Sequence, residues 1–154
     1  MSRRTYLPHE LERAVRVAAT LALAREERAQ RIADLVREAT GRRWVGIYDV
    51  TPTEVVNLAW SGPGPPAHMR FPIERGLTGA AISARRTVVS NDVARDPRYL
   101  TALASTGSEL IVPVIVGERV VGTLDLEEER TDAFGEEDQL LSERVALEMS
   151  PLYD

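Results

Sequence analysis

Three acidic residues stand in strand-like segments whose other residues are mostly apolar. Glu109 begins the run of residues 109–116, and Asp125 and Glu127 share one side of the run of residues 119–127. A carboxylate is costly to bury unless it is paired or hydrogen-bonded, and buried charge tends to mark function. Acids that line a cavity would suit a ligand carrying an amino or guanidinium group. The sequence therefore predicts a binding role for these three carboxylates.

The same acids have other uses, which the sequence leaves open. They could point to solvent, or they could pair with a nearby arginine such as Arg70 or Arg75. They could also act as the acid–base groups of an enzyme, because a carboxyl group can give and take a proton. A binding cavity, a solvated surface and an acid–base site are therefore the alternatives to separate.

Four other side chains are candidates for lining the same cavity. Trp44 and Tyr48 share one face of a predicted strand, where aromatic rings serve as core or as pocket wall. Thr78 lies in the Gly76-Leu77-Thr78-Gly79 turn, which could present backbone N–H groups to an anion or simply bring a helix close to the sheet. His68 follows a proline-rich loop and lies either at the cavity mouth or on the surface.

The sequence contains no cysteine and no lysine, and this excludes whole classes of chemistry. Without cysteine there is no disulfide, thiolate nucleophile, iron–sulfur cluster or cysteine-ligated zinc. Without lysine, Schiff-base catalysis is excluded. The two histidines, His9 and His68, lie in different segments, which argues against a multi-histidine metal site. We therefore expect no metal and no other cofactor.

Charge and hydropathy narrow the expected partners and location. A net charge of −5 argues against nucleic acid, because duplex binders carry a concentrated basic face. No stretch approaches the roughly 18 apolar residues of a membrane-spanning helix. The start of the chain is basic, but no apolar signal-peptide core follows it. We expect a cytoplasmic protein whose partner is a small molecule, with neither a membrane nor a nucleic acid involved.

Helices are predicted at both ends of the chain. In residues 1–41, apolar residues recur at helical spacing in two stripes, and Gly41 supplies a stop. Whether this segment forms one helix or two is left open. A closing helix is predicted over residues 135–150, with acids in its first turn, where the helix dipole favours negative charge.

Strand patterns occupy residues 43–127, between the terminal helices. They cover Arg43 to Val50, Glu54 to Trp60, Met69 to Pro72, Thr87 to Ser90, Glu109 to Val116 and Arg119 to Glu127. Pro113 interrupts the fifth strand, where we expect a bulge or a missing ladder bond. Short helical pieces are predicted at residues 80–84 and 100–104. Hairpin-joined strands favour an antiparallel sheet with helices packed on it, in one α/β (α+β) domain of residues 1–154.

Five short motifs, taken together and in order, resemble the GAF domain. They are WVGIY at residues 44–48, GLTG at 76–79, SELIVP at 108–113, VGTLD at 121–125 and FGEED at 134–138. The resemblance implies a six-stranded antiparallel sheet with helices on both faces. It also implies a ligand pocket between the sheet and the loops of residues 62–108.

Within that superfamily, the pocket motifs resemble the free methionine-(R)-sulfoxide reductases. That family pairs a Trp and a Tyr on the first strand with acids on later strands, a pattern matched here by Trp44, Tyr48, Glu109 and Asp125. Glu127 stands at the second of the family's two further acid positions, where the family has Asp. The family's three cysteine positions fall here at His68, Thr78 and Ala102. The resemblance therefore implies a related pocket without the family's thiol chemistry.

These observations favour a non-catalytic, GAF-type sensory domain that binds a small polar or amine-bearing metabolite. Closure of residues 62–75 and 91–108 over the ligand would then bias a partner or a dimer interface. One alternative is a reductase-like enzyme with a degenerate thiol site, and another is an interaction scaffold whose pocket is filled. The apolar stripe of residues 11–22, together with the closing helix, could form a homodimer interface or could pack on its own sheet.

Overall fold

The computed structural model of the protein describes residues 6–101 and 103–154. The helices are α1 (Pro8–Thr20), α2 (Arg25–Thr40), α3 (Gly76–Ala84) and α4 (Glu136–Glu148). The strands are β1 (Trp44–Val50), β2 (Glu54–Ser61), β3 (Arg70–Pro72), β4 (Val88–Ser90), β5 (Ser108–Val116) and β6 (Arg119–Glu128). Short 3-10 helices cover Val93–Arg95 and Ser150–Tyr153. The predicted basic start at residues 1–4, and Ala102, lie outside the described residues.

All six strands join one antiparallel sheet in the order β3-β2-β1-β6-β5-β4. The central pair, β1 and β6, places Ile47 opposite Leu124 and Gly46 opposite Asp125. Because successive side chains alternate across a strand, this register sends Leu124 and Leu126 to one face, and Asp125 and Glu127 to the other. The alternation predicted for residues 119–127 is confirmed.

Helices cover both faces of the sheet. The main core lies on the leucine face, where α1, α2 and α4 bury Leu11, Ile32 and Val145. On the acid face, α3 packs Leu77 and Ala81 against the sheet. The predicted six-stranded sheet with helices on both faces is therefore confirmed. None of the helices that the structure describes is long and apolar enough to cross a membrane.

The N-terminal segment forms two helices, which settles the question that the sequence left open. Leu21, which follows α1, has an extended backbone, and α2 begins at Arg25. Arg28 stabilises this break, because its guanidinium donates hydrogen bonds to the carbonyl oxygens of Ala19 at 2.6 Å and Leu23 at 3.2 Å. Carbonyl groups at a helix end lack intrahelical partners, and a cationic side chain satisfies them well.

Two local predictions were wrong. The segment predicted as a helical piece at residues 100–104 forms bends and turns where it is described, and the nearest helical turn is Val93–Arg95. In the fifth strand, the predicted bulge at Pro113 was wrong, because Pro113 pairs in register with Thr123 and the register shifts between Val114 and Ile115. β4 pairs with β5 only at residues 109–111, so at Pro113 that side of β5 has no partner strand and no donor is needed there.

Candidate functional site

The three predicted acids converge on one face of the sheet. Glu109 on β5 lies directly opposite Glu127 on β6, and Asp125 precedes Glu127 by two residues, so it lies on the same side. Their exposed fractions are 4% for Glu109, 3% for Asp125 and 1% for Glu127. The alternative in which these acids point to solvent is therefore wrong.

Arginine pairing does not neutralise this carboxylate cluster either. Arg70 instead forms an ion pair with Glu54 at 3.7 Å. Among the ion pairs of residues 6–101 and 103–154, none includes Glu109, Asp125 or Glu127. The same described residues contain no group of acids and histidines arranged to hold a metal ion. The cluster is thus a set of buried acids without a counter-charge in the described protein.

A small cavity adjoins two of the acids. Five predicted residues line it, namely Tyr48, His68, Thr78, Glu109 and Asp125. Its volume is about 20 Å³, enough for about one water molecule. The four other lining residues are Phe71, Gly76, Leu100 and Thr101, of which only Gly76 belongs to a motif singled out in the sequence. Leu100 and Thr101 come from an irregular loop, where no periodic pattern marks residues that face inward.

Trp44 and Glu127 lie behind the cavity and do not line it. The Trp44 side chain is fully buried, and its indole Nε1 donates a hydrogen bond to the Gly64 carbonyl oxygen at 3.0 Å. It thereby fixes the loop after β2 to β1. Glu127 accepts a hydrogen bond from the Thr106 hydroxyl at 2.7 Å. Sequence reasoning placed both residues on the correct face, but the cavity ends before it reaches them.

Burial shifts the proton affinity of all three acids in the same direction. Burial raises the pKa of Glu109 well above its usual range, and the charges of Glu127 and Asp125 raise it further. Burial also raises the pKa of Asp125 strongly, with Glu127 adding to the rise. The pKa of Glu127 rises to about 7 because of burial, although its hydrogen bond from Thr106 opposes this. The cluster therefore resists carrying its full negative charge.

Several buried oxygen atoms of the carboxylate cluster and its neighbours lack a hydrogen-bond partner among the described residues. The hydroxyls of Thr78 and Thr123 oppose the rise in the pKa of Asp125. However, neither Asp125 Oδ1 nor Thr123 Oγ1 completes a hydrogen bond of good geometry with the described residues. Glu127 Oε2 is in the same situation within that part of the chain. Buried polar atoms are normally paired, so this site has unused hydrogen-bonding capacity.

Tyr48 supplies the aromatic wall of the cavity. Burial, followed by the charges of Asp125, Glu127 and Glu109, raises the pKa of its phenol well above the usual value. The side chain therefore stays a neutral O–H group that can donate a hydrogen bond. Its ring meets that of Phe71 edge-on, with centroids 5.9 Å apart. The Tyr153 hydroxyl donates to the Tyr48 carbonyl oxygen at 2.7 Å, a contact that joins distant segments and has no local sequence signal.

Gly46 gives the aromatic residues of β1 their space. A β-carbon at this position would overlap the Trp44 ring and press on the Tyr48 ring. Overpacking of this kind costs about 1–3 kcal/mol, so Gly46→Ala is expected to lower the free energy of unfolding by that amount. Urea denaturation measures the change. Gly64→Ala is the matched control, since no described atom lies within 4 Å of a β-carbon there. Equal stability of the two variants would contradict this packing.

Comparison with known proteins gives the family. A family model described as GAF domain matches residues 22–150. GAF domain-containing protein A of Dictyostelium discoideum is 30% identical over 62% of this chain and 60% of its own length. The free methionine-R-sulfoxide reductase of Escherichia coli strain K12 is 27% identical over 68% of this chain and 62% of its own length. The chain thus spans less than two thirds of each relative.

A solved structure extends the likeness over nearly the whole chain. The free methionine-R-sulfoxide reductase from Neisseria meningitidis, in complex with its substrate, superposes with a TM-score of 0.85 at 28% identity. The match covers 96% of this chain and 88% of that protein. Both resemblances drawn from the sequence motifs are confirmed, while this chain contains no cysteine. Because the matched family model spans most of its length, the chain belongs to the GAF domain family.

Proposed function

We propose that this GAF domain binds a small metabolite through an amino group held by Glu109 and Asp125, without catalysing a thiol reaction. The observation that carries the proposal is the pair of buried carboxylates lining one cavity with no counter-charge among the described residues. An ammonium group of a ligand would supply that charge and donate hydrogen bonds to oxygen atoms such as Asp125 Oδ1. Binding would then offset the cost of burying the acids.

The relatives support an amino acid as the kind of ligand. A similar protein of known structure holds its substrate, and its name identifies that substrate class as free methionine-R-sulfoxide, which carries an ammonium and a carboxylate group. Here Gly76 and Thr78, in the first turn of α3, line the same cavity as the acids. Backbone N–H groups in a first helical turn favour an anion such as a carboxylate. The opposite charges of an amino acid therefore match the two sides of this cavity.

The cavity must enlarge for such a ligand to enter. Its present volume of about 20 Å³ holds about one water molecule, whereas an amino acid has many more atoms. Leu100 and Thr101 form part of its wall and belong to a loop outside the sheet. The closed state described here and an open state that admits ligand would thus be the two conformations of a sensory domain.

Thermal unfolding at pH 8 tests the proposal with defined probes. L-methionine-(R)-sulfoxide and L-methionine are expected to raise the Tm by several degrees at concentrations far above their Kd. The N-acetyl derivatives, which have lost the ammonium group, should not. The shift should disappear in Glu109→Gln and persist in Glu118→Gln, a control on the exposed hairpin turn. A shift that survives in Glu109→Gln, or no shift with either amino acid, would contradict the proposed ligand contact.

The non-catalytic part of the proposal has its own measurement. The chain has no cysteine, so no thiolate is present to attack a sulfoxide and no disulfide can form. Incubation of the protein with L-methionine-(R)-sulfoxide and excess dithiothreitol is expected to yield no methionine above the buffer control. Methionine formation that depends on the protein would establish an enzyme that works without thiols and would overturn this part.

The homodimer stays a prediction. The surface that would form it differs from the apolar stripe predicted from the sequence. Leu11 and Val15 of the predicted stripe are buried within the chain, where α1 packs on α2, α4 and the C-terminal 3-10 helix. The outward faces of α1 and α4 instead expose Val17 at 54% and Leu147 at 73%. The two helices lie side by side, joined by the Arg16–Glu148 ion pair. A self-association that joins these faces is expected to be weakened by Leu147→Glu in light scattering.

A further inference from the structure

One loop closes the cavity from the side opposite the sheet. We define the lid segment as residues 96–101 and 103–106. Its hydrogen bonds among described residues include two local ones: the Tyr99 hydroxyl donates to the Leu103 carbonyl oxygen at 3.3 Å, and the Thr106 amide donates to the same oxygen at 3.2 Å. These bonds shape the lid segment but do not attach it to the sheet. Its attachment must come from other contacts.

Glu127 provides such a contact near the C-terminal end of the lid segment. The Thr106 hydroxyl donates a hydrogen bond to Glu127 Oε1 at 2.7 Å. The Tyr99 hydroxyl also opposes the rise in the pKa of Glu127, so it lies near this carboxyl group while it donates to Leu103. Glu127 is 1% exposed and lies on β6, in the middle of the sheet, so its position is fixed. A hydroxyl bonded to a buried carboxylate is among the stronger hydrogen bonds of a protein.

The position of Glu127 separates it from the ligand contacts. Glu109 and Asp125 line the cavity, while Glu127 does not, although it lies opposite Glu109 in the sheet. One of its oxygen atoms bonds to the lid segment, and the other, Oε2, has no hydrogen-bond partner in the described part of the chain. The carboxyl group therefore faces the lid segment and has spare capacity for a donor from it.

We propose that Glu127 is a positioning residue that holds the lid segment closed over the cavity through its hydrogen bond from Thr106. Opening of the lid segment then requires this hydrogen bond to break. The backbone at Gly107 stays in place, because its amide donates a hydrogen bond to the Glu128 carbonyl oxygen at 2.7 Å. Gly107 also packs tightly against the backbone of Glu129 and Arg130, which follow β6. The movement thus concerns the residues before Gly107. Only its consequence for ligand exchange rests on the proposed function.

Hydrogen exchange measured by mass spectrometry tests the latch without any ligand. Thr106→Val removes the hydroxyl and keeps the shape of the side chain, and it should speed exchange of the amides in the lid segment about tenfold. Thr106→Ser, which restores the donor, should return exchange to the wild-type rate. Ser105→Ala is the matched control, since it removes an exposed neighbouring hydroxyl.

The outcomes separate the latch from the ligand proposal. Unchanged exchange in peptides from α2 shows that a variant is folded, so a faster lid segment then reports local opening. Wild-type exchange in Thr106→Val, or failure of Thr106→Ser to restore it, would overturn the latch. In that case the response of the Tm to L-methionine-(R)-sulfoxide and its loss in Glu109→Gln would be unaffected. A latch that is confirmed while no probe binds would leave the lid segment without the proposed ligand.

Discussion

Raising the pH from 5 to 8 is expected to lower the free energy of unfolding of the ligand-free protein by about 3 kcal/mol. This change follows from Glu127, because burial raises the pKa of its side chain from the usual 4.5 to about 7. Between these two values the folded protein holds a proton that the unfolded chain has released. Stability therefore falls as pH rises through this window, by about 1.4 kcal/mol per pH unit for each such proton.

The sign of this dependence is opposite to that of an ordinary ion-paired acid. Asp96, whose pKa is lowered mainly by its hydrogen bonds from Arg98, stabilises the fold above its usual range and loses that contribution only in acid. Measurements at pH 5 to 8 therefore isolate the raised pKa values of the carboxylate cluster. Urea unfolding at several pH values gives the slope, which Glu127→Gln should reduce. A wild-type protein equally stable at pH 5 and pH 8 would refute these pKa directions.

Neutralising one cavity acid is expected to stabilise the empty protein and to abolish binding. Asp125→Asn removes a group whose ionisation is opposed by burial and by the charge of Glu127. The expected gain in the free energy of unfolding at pH 8 is at least about 1 kcal/mol, because each unit of a raised pKa corresponds to about 1.4 kcal/mol. The gain should be smaller at pH 5, because the raised pKa of Asp125 costs the folded wild-type protein less stability at a pH closer to the usual pKa of an aspartate. The same variant should lose the Tm response to L-methionine.

A second aspartate gives the matched control. Asp49 lies on the neighbouring strand β1 and pairs with Arg25 at 2.7 Å. Asp49→Asn breaks an ion pair and should leave stability unchanged or slightly lower, since half-exposed pairs contribute about 0–1 kcal/mol. Opposite signs for the two Asp→Asn changes would mark Asp125 as a residue retained for function at the expense of stability. A loss of stability in Asp125→Asn at pH 8 would contradict this interpretation.

The sequence was sufficient to predict the sheet and the face on which the acids lie. Alternation places Asp125 and Glu127 on the side opposite Leu124 and Leu126, and the structure agrees. Alternation states only which face a side chain occupies, not how far the cavity extends along that face. This is why Trp44 and Glu127 were grouped with the cavity residues and in fact lie behind it.

The sequence could not show which loop residues line or close the cavity, and the reason is physical. Leu100, Thr101 and Thr106 lie in irregular backbone, where neither a helical nor a strand period shows which side chains turn inward. The contact from Tyr153 to Tyr48 joins residues that are 105 positions apart, so no local pattern encodes it. The break after α1 contains no glycine or proline, and it becomes intelligible only from the contacts of Arg28.

A crystal structure of the protein grown with the amino acid that raises its Tm most would locate the ligand. We expect density inside an enlarged cavity, with the ammonium nitrogen about 3 Å from carboxylate oxygens of both Glu109 and Asp125. Density for the probe elsewhere, or an orientation that directs its ammonium group to solvent, would show that these buried acids do not form the recognition site.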